Sequence, residues 1–354
     1  MLVGIHKDSF KGYTPFMQRF ESILAYNGIQ HRRLDASMPD FWDQTAKLNL
    51  FIYWWGHEYN ERQIAMSIIP IIEKELNINC LPNMSTCWSF DDKIKQYCLL
   101  RLHGFPIIHS WIFWDKKLAL KWFTGAPIPI VFKLKGGAGS SNVVLVKNRY
   151  LGKMLIRKMF GSGIRSGHIP FGTTRWKDFR IWPSIRHFGG RVIRRFVAGN
   201  TTPNWEHHKN YVLFQKFLPN NAYDTRVTVI GNRAFAFRRF NRPKDFRSSG
   251  SGLIDYDKNG INLKFVKKAF EISTKMNFQS MAYDFLYDEN NEIAFCETSY
   301  TYVDTAVFKC EGYWDSFLNW HEGHFWPQYC LLCDALKLYD LCQPELSLLH
   351  NPTF

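Results

Sequence analysis

The chain has 354 residues, of which 46% are hydrophobic and 21% charged, and a formal net charge of +14. This profile fits an ordered globular protein long enough for two or three subdomains, and excludes a disordered chain or a disulfide-stapled miniature. No apolar run reaches membrane-spanning length and no apolar h-region opens the sequence, so neither a transmembrane helix nor a signal peptide is expected, and the expected location is the cytoplasm, extending to the inner face of the membrane.

In chain order, "SILAYNGIQHRRLD" predicts a helix leaving through Gly28 and "KLNLFIYWW" a buried strand. "ERQIAMSIIPIIEKELN" predicts a helix that Pro70 would bend or break. This strand–helix–strand material predicts an open α/β unit over residues 1–88. Asp91 and Asp92 sit where N-cap and first-turn acids belong, ahead of a helix that runs to Leu102 and ends at Gly104. Pro106 leads into a strand, and "PIVFKLKGGAGSSNVVLV" predicts a β-hairpin with a Gly- and Ser-rich tip. These elements make a unit over 89–150, completed by part of 205–218.

From 151 to 211 the chain carries twelve Lys or Arg against two acids, with Gly, Pro and many aromatics. We read 151–210 as a basic insert, whose charge implies an anionic partner. Residues 211–305 read as a strand, a hairpin turning at Gly231-Asn232, a helix in "NLKFVKKAFEISTKMN", and a second hairpin in "MAYDFLYDENNEIAFCETSY". The extension 306–354 shows helical patterns rich in Trp and Tyr. Cys330 and Cys333, with Cys310, Cys342, His321 and His324 nearby, allow either a zinc site or reduced thiols, and reduced thiols are the expectation. "HEGH" lacks zincin spacing.

The glycine tip is not a P-loop, because Lys133 and Lys135 precede it and it closes with Ser-Ser-Asn. No G-x-G-x-x-G opens a helix, which excludes the dinucleotide fingerprint. A Gly-rich hairpin tip can still offer backbone N–H groups to phosphates, with a lysine on the incoming strand; the alternative is a plain flexible turn. The second hairpin places Asp284 on one strand and Glu297 with Ser299 on the next, where carboxylates can face each other. Magnesium suits such oxygens together with substrate phosphates, and two ions can share one carboxylate.

In order and spacing, the stretches "FDDKIKQYCLLRLHGFPIIHSWIF", "PIVFKLKGGAGSSNVVLV", "YVLFQKFLP", "DTRVTVIGNRAFAFRRF" and "YDFLYDENNEIAFCETS", spanning residues 90 to 300, resemble the ATP-grasp superfamily, in the branch of glutathione synthetase and D-alanine–D-alanine ligase. "FRSSGSG", "ETSY" and "GYWDSFLNWHEGHFWPQ" look more narrowly like ATP-grasp proteins of bacterial surface-polysaccharide clusters. The resemblance implies an α/β (α+β) fold in which an N-terminal open α/β domain precedes two α+β subdomains that clamp ATP.

It also implies roles. Lys93 and Lys133 would contact ATP phosphates, under a loop of Gly136, Gly137, Ala138, Gly139, Ser140 and Ser141. Gln215, Lys216, Phe217 and Leu218 would line the adenine pocket. Arg226, Arg239 and Arg247 would steady the acyl phosphate or substrate carboxylate. Asp284 and Glu297 would bind two Mg2+ ions, with Mn2+ as a substitute, and Ser299 stands where the family's usual third ligand is Asn. The implied activity is an ADP-forming carboxylate–amine (or carboxylate–thiol) ligase of the acid–amino-acid type, working through an acyl phosphate on small carboxylate and amine substrates. The basic insert suggests an anionic glycan, lipid-linked sugar or membrane surface as further partner. The alternatives are a kinase-type ATP-grasp phosphotransferase and a nucleic-acid-binding protein using the insert.

Overall fold

A computed structural model of the chain describes residues 1–8, 12–137, 142–166, 206–243 and 245–346. The first strands form a parallel sheet in the order Gln30–Leu34, Leu2–His6, Leu50–Ile52, Asn79–Leu81. Leu50, Phe51 and Ile52 are buried in succession, as a parallel strand covered on both faces requires. Gly28, at φ +66, turns the chain from helix Pro15–Tyr26 into the next strand. The helix Tyr59–Lys74 runs through Pro70 without ending, so of the two expected effects, a bend or a break, the break does not occur. Proline there forfeits one bond to the Met66 carbonyl, and the buried Ile68, Ile69 and Ile72 hold the helix on the sheet, each contributing about 1.5–3 kcal/mol.

A second sheet is antiparallel and ordered Ser110–Phe113, Val212–Lys216, Ile130–Lys133, Val143–Val146. The last two strands are the two arms of the glycine hairpin. Ile130, Phe132, Val144 and Phe214 share a core with Phe123, Leu155 and Met159, so helices Lys116–Phe123 and Arg149–Met159 cover one face. A Cβ on Gly152 would lie 1.9 Å from the Phe123 ring, so only glycine lets the two helices approach this closely. The strand pleat then turns Val131, Lys133 and Gln215 to the other face.

The third sheet has seven strands. Six follow the order Ile293–Ser299, Ser280–Tyr287, Tyr223–Ile230, Arg233–Phe240, Gly312–Trp314, Trp320–Glu322, and Ile254–Asp255 pairs with Arg233–Phe240. Helix Leu263–Met276 buries Phe265, Val266 and Ala269 in the same core as Val227, Val229 and Phe285. The chain after 306 is not wholly helical: its hairpin of Gly312–Trp314 and Trp320–Glu322 extends this sheet through Ala234 and Trp314, before helix Pro327–Leu336. Pro106 to Ile108 pairs with Phe295, joining the second sheet to the third. Among the described residues, no helix is long and apolar enough to cross a membrane.

Candidate active site

The glycine hairpin and the acidic hairpin meet at Lys93. Asp92 caps its helix, accepting from the N–H groups of Ile94 and Lys95. The cap aims the Lys93 side chain into the space between hairpins. Its Nζ donates to the Gly137 carbonyl at 2.9 Å and lies 3.0 Å from Glu297 Oε1. Burial alone would lower the Lys93 pKa, but the Glu297 and Asp91 carboxylates outweigh it and hold the ammonium above its ordinary value.

Lys133 ends its strand only 7% exposed, and among the described residues it has no hydrogen-bond or ion-pair partner. Its charge acts on the Cys296 thiol, as do the charges of Asp284 and Glu297. Burial pushes that thiol up to about 12. Cys296 is the extra residue of a β-bulge: Asp284 pairs with Glu297, and Phe285 with Phe295.

Asp284 is enclosed by cations. Arg226 donates to it from Nε at 2.7 Å and Nη2 at 2.9 Å, and Arg239 Nη2 lies 2.8 Å away. Arg239 also grips Asp224 through two bonds of 2.7 Å. Burial opposes the Asp284 charge, yet the two guanidiniums hold its carboxyl well below the usual carboxylate range. The third arginine, Arg247, lies instead on Asp245, in a loop whose Phe246 ring meets Phe217 edge-on at 5.5 Å. On strand Val212–Lys216, Gln215 donates to Ser110 Oγ at 3.3 Å and Lys216 pairs with Glu289, while Leu218 beyond its end is half-buried.

At the glycine tip, Gly137 has φ +97, and a Cβ there would lie 1.8 Å from Asn142 Nδ2, which donates to the Gly136 carbonyl at 2.7 Å. Ala138, Gly139, Ser140 and Ser141 lie outside the described residues, as does most of the basic insert, 167–205.

Several groups at the site escape sequence reasoning. Asp91 does not cap the helix. It adopts a left-handed φ of +53, and its carboxylate accepts from Gly137 N–H at 2.6 Å and meets His57 Nδ1 at 3.0 Å. Arg62, one turn further along, bonds Glu206, which lies 3.0 Å from Lys135 Nζ. Local sequence carries no signal for these contacts, because they join residues 34 to 144 positions apart in the chain.

Among the described residues, no three His, Cys, Asp or Glu side chains are grouped to hold a metal. Cys330 and Cys333 are buried on one helix. At the acidic hairpin, Asp284 is committed to guanidiniums, and Ser299 Oγ donates to the Thr301 carbonyl at 2.8 Å. Glu297 is one-third exposed and, among the described residues, only its Oε1 is bound, to Lys93. A carboxylate has about four lone-pair sites, so this donor set fits a magnesium ion that draws most of its ligands from phosphate and water.

No protein-family model and no curated protein matches the chain. Solved structures do. D-alanyl-alanine synthetase A from Vibrio cholerae aligns over 95% of this chain and 99% of its own, with TM-score 0.56 at 9% identity. D-cycloserine synthetase aligns over 96% of this chain and 100% of its own, with TM-score 0.53 at 13% identity. The ATP-grasp ligase PsnB, complexed with minimal precursor, aligns over 95% and 98%, with TM-score 0.52 at 14% identity. The chain therefore has the ATP-grasp fold.

Proposed function

We propose that this chain is an ATP- and magnesium-dependent ligase that joins a carboxylate to an amine, or to a thiol, through an acyl phosphate. One observation carries the reading: buried Lys93 bridges the two hairpins, and on the glycine hairpin's incoming strand the buried Lys133 side chain has no partner among the described residues. An unpaired buried ammonium is costly, and a triphosphate is the anion whose size and charge suit a space walled by main-chain amides and two lysines. The neighbours of like fold are described as synthetases and a ligase, which agrees.

In this reading the adenine edge meets the hinge of Gln215, Lys216, Phe217 and Leu218, and the phosphates meet Lys93, Lys133 and the tip from Gly136 to Ser141. A substrate carboxylate oxygen attacks the γ-phosphorus and ADP departs with the bridging oxygen. The amine then attacks the acyl carbon, sheds a proton, and phosphate leaves carrying the former carboxylate oxygen. Bound magnesium, held by Glu297 with support from Asp284 and Ser299, would neutralise the phosphate charge. Arg226 and Arg239 keep guanidinium N–H groups beyond those spent on Asp284 and Asp224, and these would steady the acyl phosphate. Arg247 would meet the acceptor.

The proposed acceptor is an anionic sugar or surface-polysaccharide precursor, handled in the cytoplasm. What supports it is composition: twelve Lys or Arg against two acids between 151 and 211, interleaved with aromatics. The test is a screen of uronic-acid sugars and amino acids with Mg-ATP, followed by mass spectrometry. With a turned-over substrate carrying 18O in its carboxylate, one label should appear in inorganic phosphate. Phosphorylated substrate without amide would favour the kinase-type alternative. Tight, steeply salt-dependent nucleic-acid binding with no response to Mg-ATP would overturn the ligase reading.

A further inference from the structure

The two helices that cover the outer face of the second sheet carry a charge that nothing in the described structure balances. Residues 114–123 and 147–159 hold eight Lys or Arg and a single acid, Asp115. Asp115 is spent on capping, accepting from Leu118 N–H at 2.8 Å. Among the described residues none of the eight bases makes an ion pair. On helix Arg149–Met159, Tyr150, Lys153 and Arg157 recur at three- and four-residue spacing, which sets them on one stripe. On helix Lys116–Phe123, Lys117 and Lys121 form a matching pair. The Gly152–Phe123 contact and the bond from Arg149 Nη1 to the Phe123 carbonyl, 2.8 Å, set the helices side by side.

Large apolar groups stand exposed among these charges: Trp114 is 65% exposed, Leu118 61% and Tyr150 78%. Single exposed apolar residues are ordinary. A Trp, a Leu and a Tyr on or beside two cationic helices match in kind the make-up of surfaces that lie in a membrane interface, where Trp and Tyr settle at headgroup level and aliphatic side chains enter the acyl boundary. Leu118 offers no π face to a nucleic-acid base, which is what aromatic groups on single-strand-binding surfaces supply. This face lies opposite the sheet side that presents Lys133, so docking through it would leave the cleft open.

We infer that this two-helix face docks on an anionic lipid bilayer. The inference goes beyond the ligase reading and does not depend on it. Each basic side chain near such a surface raises partitioning roughly fivefold, and the exposed Trp114, Leu118 and Tyr150 add apolar burial.

The test uses the full chain and sedimentation with vesicles of phosphatidylcholine, with and without phosphatidylglycerol. Binding is expected only to the anionic vesicles, weakening as salt rises. The triple variant Lys117→Glu, Lys121→Glu, Arg157→Glu should lose roughly a hundredfold or more in partitioning. Trp114→Ser with Tyr150→Ser should weaken binding while leaving its salt dependence unchanged. All five side chains are exposed, and unchanged circular dichroism would verify the fold; Lys117→Gln with Lys121→Gln is the milder pair if reversal disturbs it. Equal binding to neutral and anionic vesicles, or none to either, would overturn the inference. So would loss of RNA or DNA binding in the charge variants with vesicle binding unchanged, which would assign the face to nucleic acid.

Discussion

Lys93 and Glu297 stand 3.0 Å apart across the gap between two sheets, and the same ammonium holds the Gly137 carbonyl at 2.9 Å. One cation thus fixes the relative position of the glycine tip and the acidic hairpin.

Lys93→Met should therefore weaken Mg-ATP binding by about 10- to 100-fold, the value of one charge-assisted hydrogen bond. Titration calorimetry is the check. The Lys133→Ala variant should lose at least as much, since Lys133 has no other partner among the described residues. Unchanged affinity in both variants would remove the nucleotide from this cleft.

Asp284 and Glu297 face each other in the ladder but differ in burden. Among the described residues, Asp284→Asn leaves the half-buried Arg226 without its carboxylate and the buried Arg239 with Asp224 alone, and should cost about 3–5 kcal/mol in urea unfolding. Glu297→Gln removes one carboxylate from the buried Lys93, which keeps the Gly137 carbonyl and can take the new amide oxygen as acceptor, so it should cost less than Asp284→Asn while abolishing turnover. The Asp284 pKa is lowered by folding, so its contribution is present above the ordinary carboxylate range and is lost as pH falls below it. Equal destabilisation by the two variants would contradict the different burdens.

Both hairpins were legible because their signals are local. Gly231-Asn232 marks one tight turn and Asp288 to Asn291 another, each between apolar runs. The ATP-grasp fold was implied by the resemblance of the quoted stretches, in their order, to that superfamily, and not by these local signals. Asp91 was not legible: Asp91-Asp92 offers two acids for one cap, and only the fold decides that Asp92 takes it while Asp91 turns to the glycine tip. The Asp224–Arg239 pair depends on strand register, and His57 and Arg62 arrive from another sheet. Gly312–Trp314 and Trp320–Glu322 are three-residue strands, too short to show a period of two.

Asp91 makes a sharper case. Its carboxylate takes the Gly137 N–H that a phosphate oxygen would use. A triphosphate must therefore displace one anion while approaching it. Asp91→Asn removes the repulsion, keeps an acceptor for the N–H, and should tighten Mg-ATP binding about fivefold. Weaker binding instead would mean that the carboxylate holds the tip in its receptive form.

Next to the tip, a chain of hydrogen bonds specifies a neutral histidine. Lys135 N–H donates to Tyr211 Oη at 2.9 Å, Tyr211 Oη lies 3.0 Å from His208 Nδ1, and His208 Nε2 lies 2.8 Å from Ser166 Oγ. With Lys135 donating to the phenol oxygen, the phenol proton goes to Nδ1, and the ring proton sits on Nε2. A second ring proton would strand the phenol proton. Burial lowers the His208 pKa from 6.5 to about 4, against the pull of Glu206 and Asp91 and with the push of Lys135 and Arg62. The unfolded chain binds a proton in that window and the folded chain does not, so this site's stabilisation is full above pH 6.5 and falls by about 3 kcal/mol as pH drops to 4. His6, lowered to about 4 by burial, acts in the same sense, while Asp8, pushed up to about 6 by burial, acts in the opposite one. The readout is therefore a difference: urea unfolding of His208→Gln should show a pH slope smaller than the parent's by about one proton between pH 4 and 6.5. Parallel slopes would show that His208 is protonated in the folded chain.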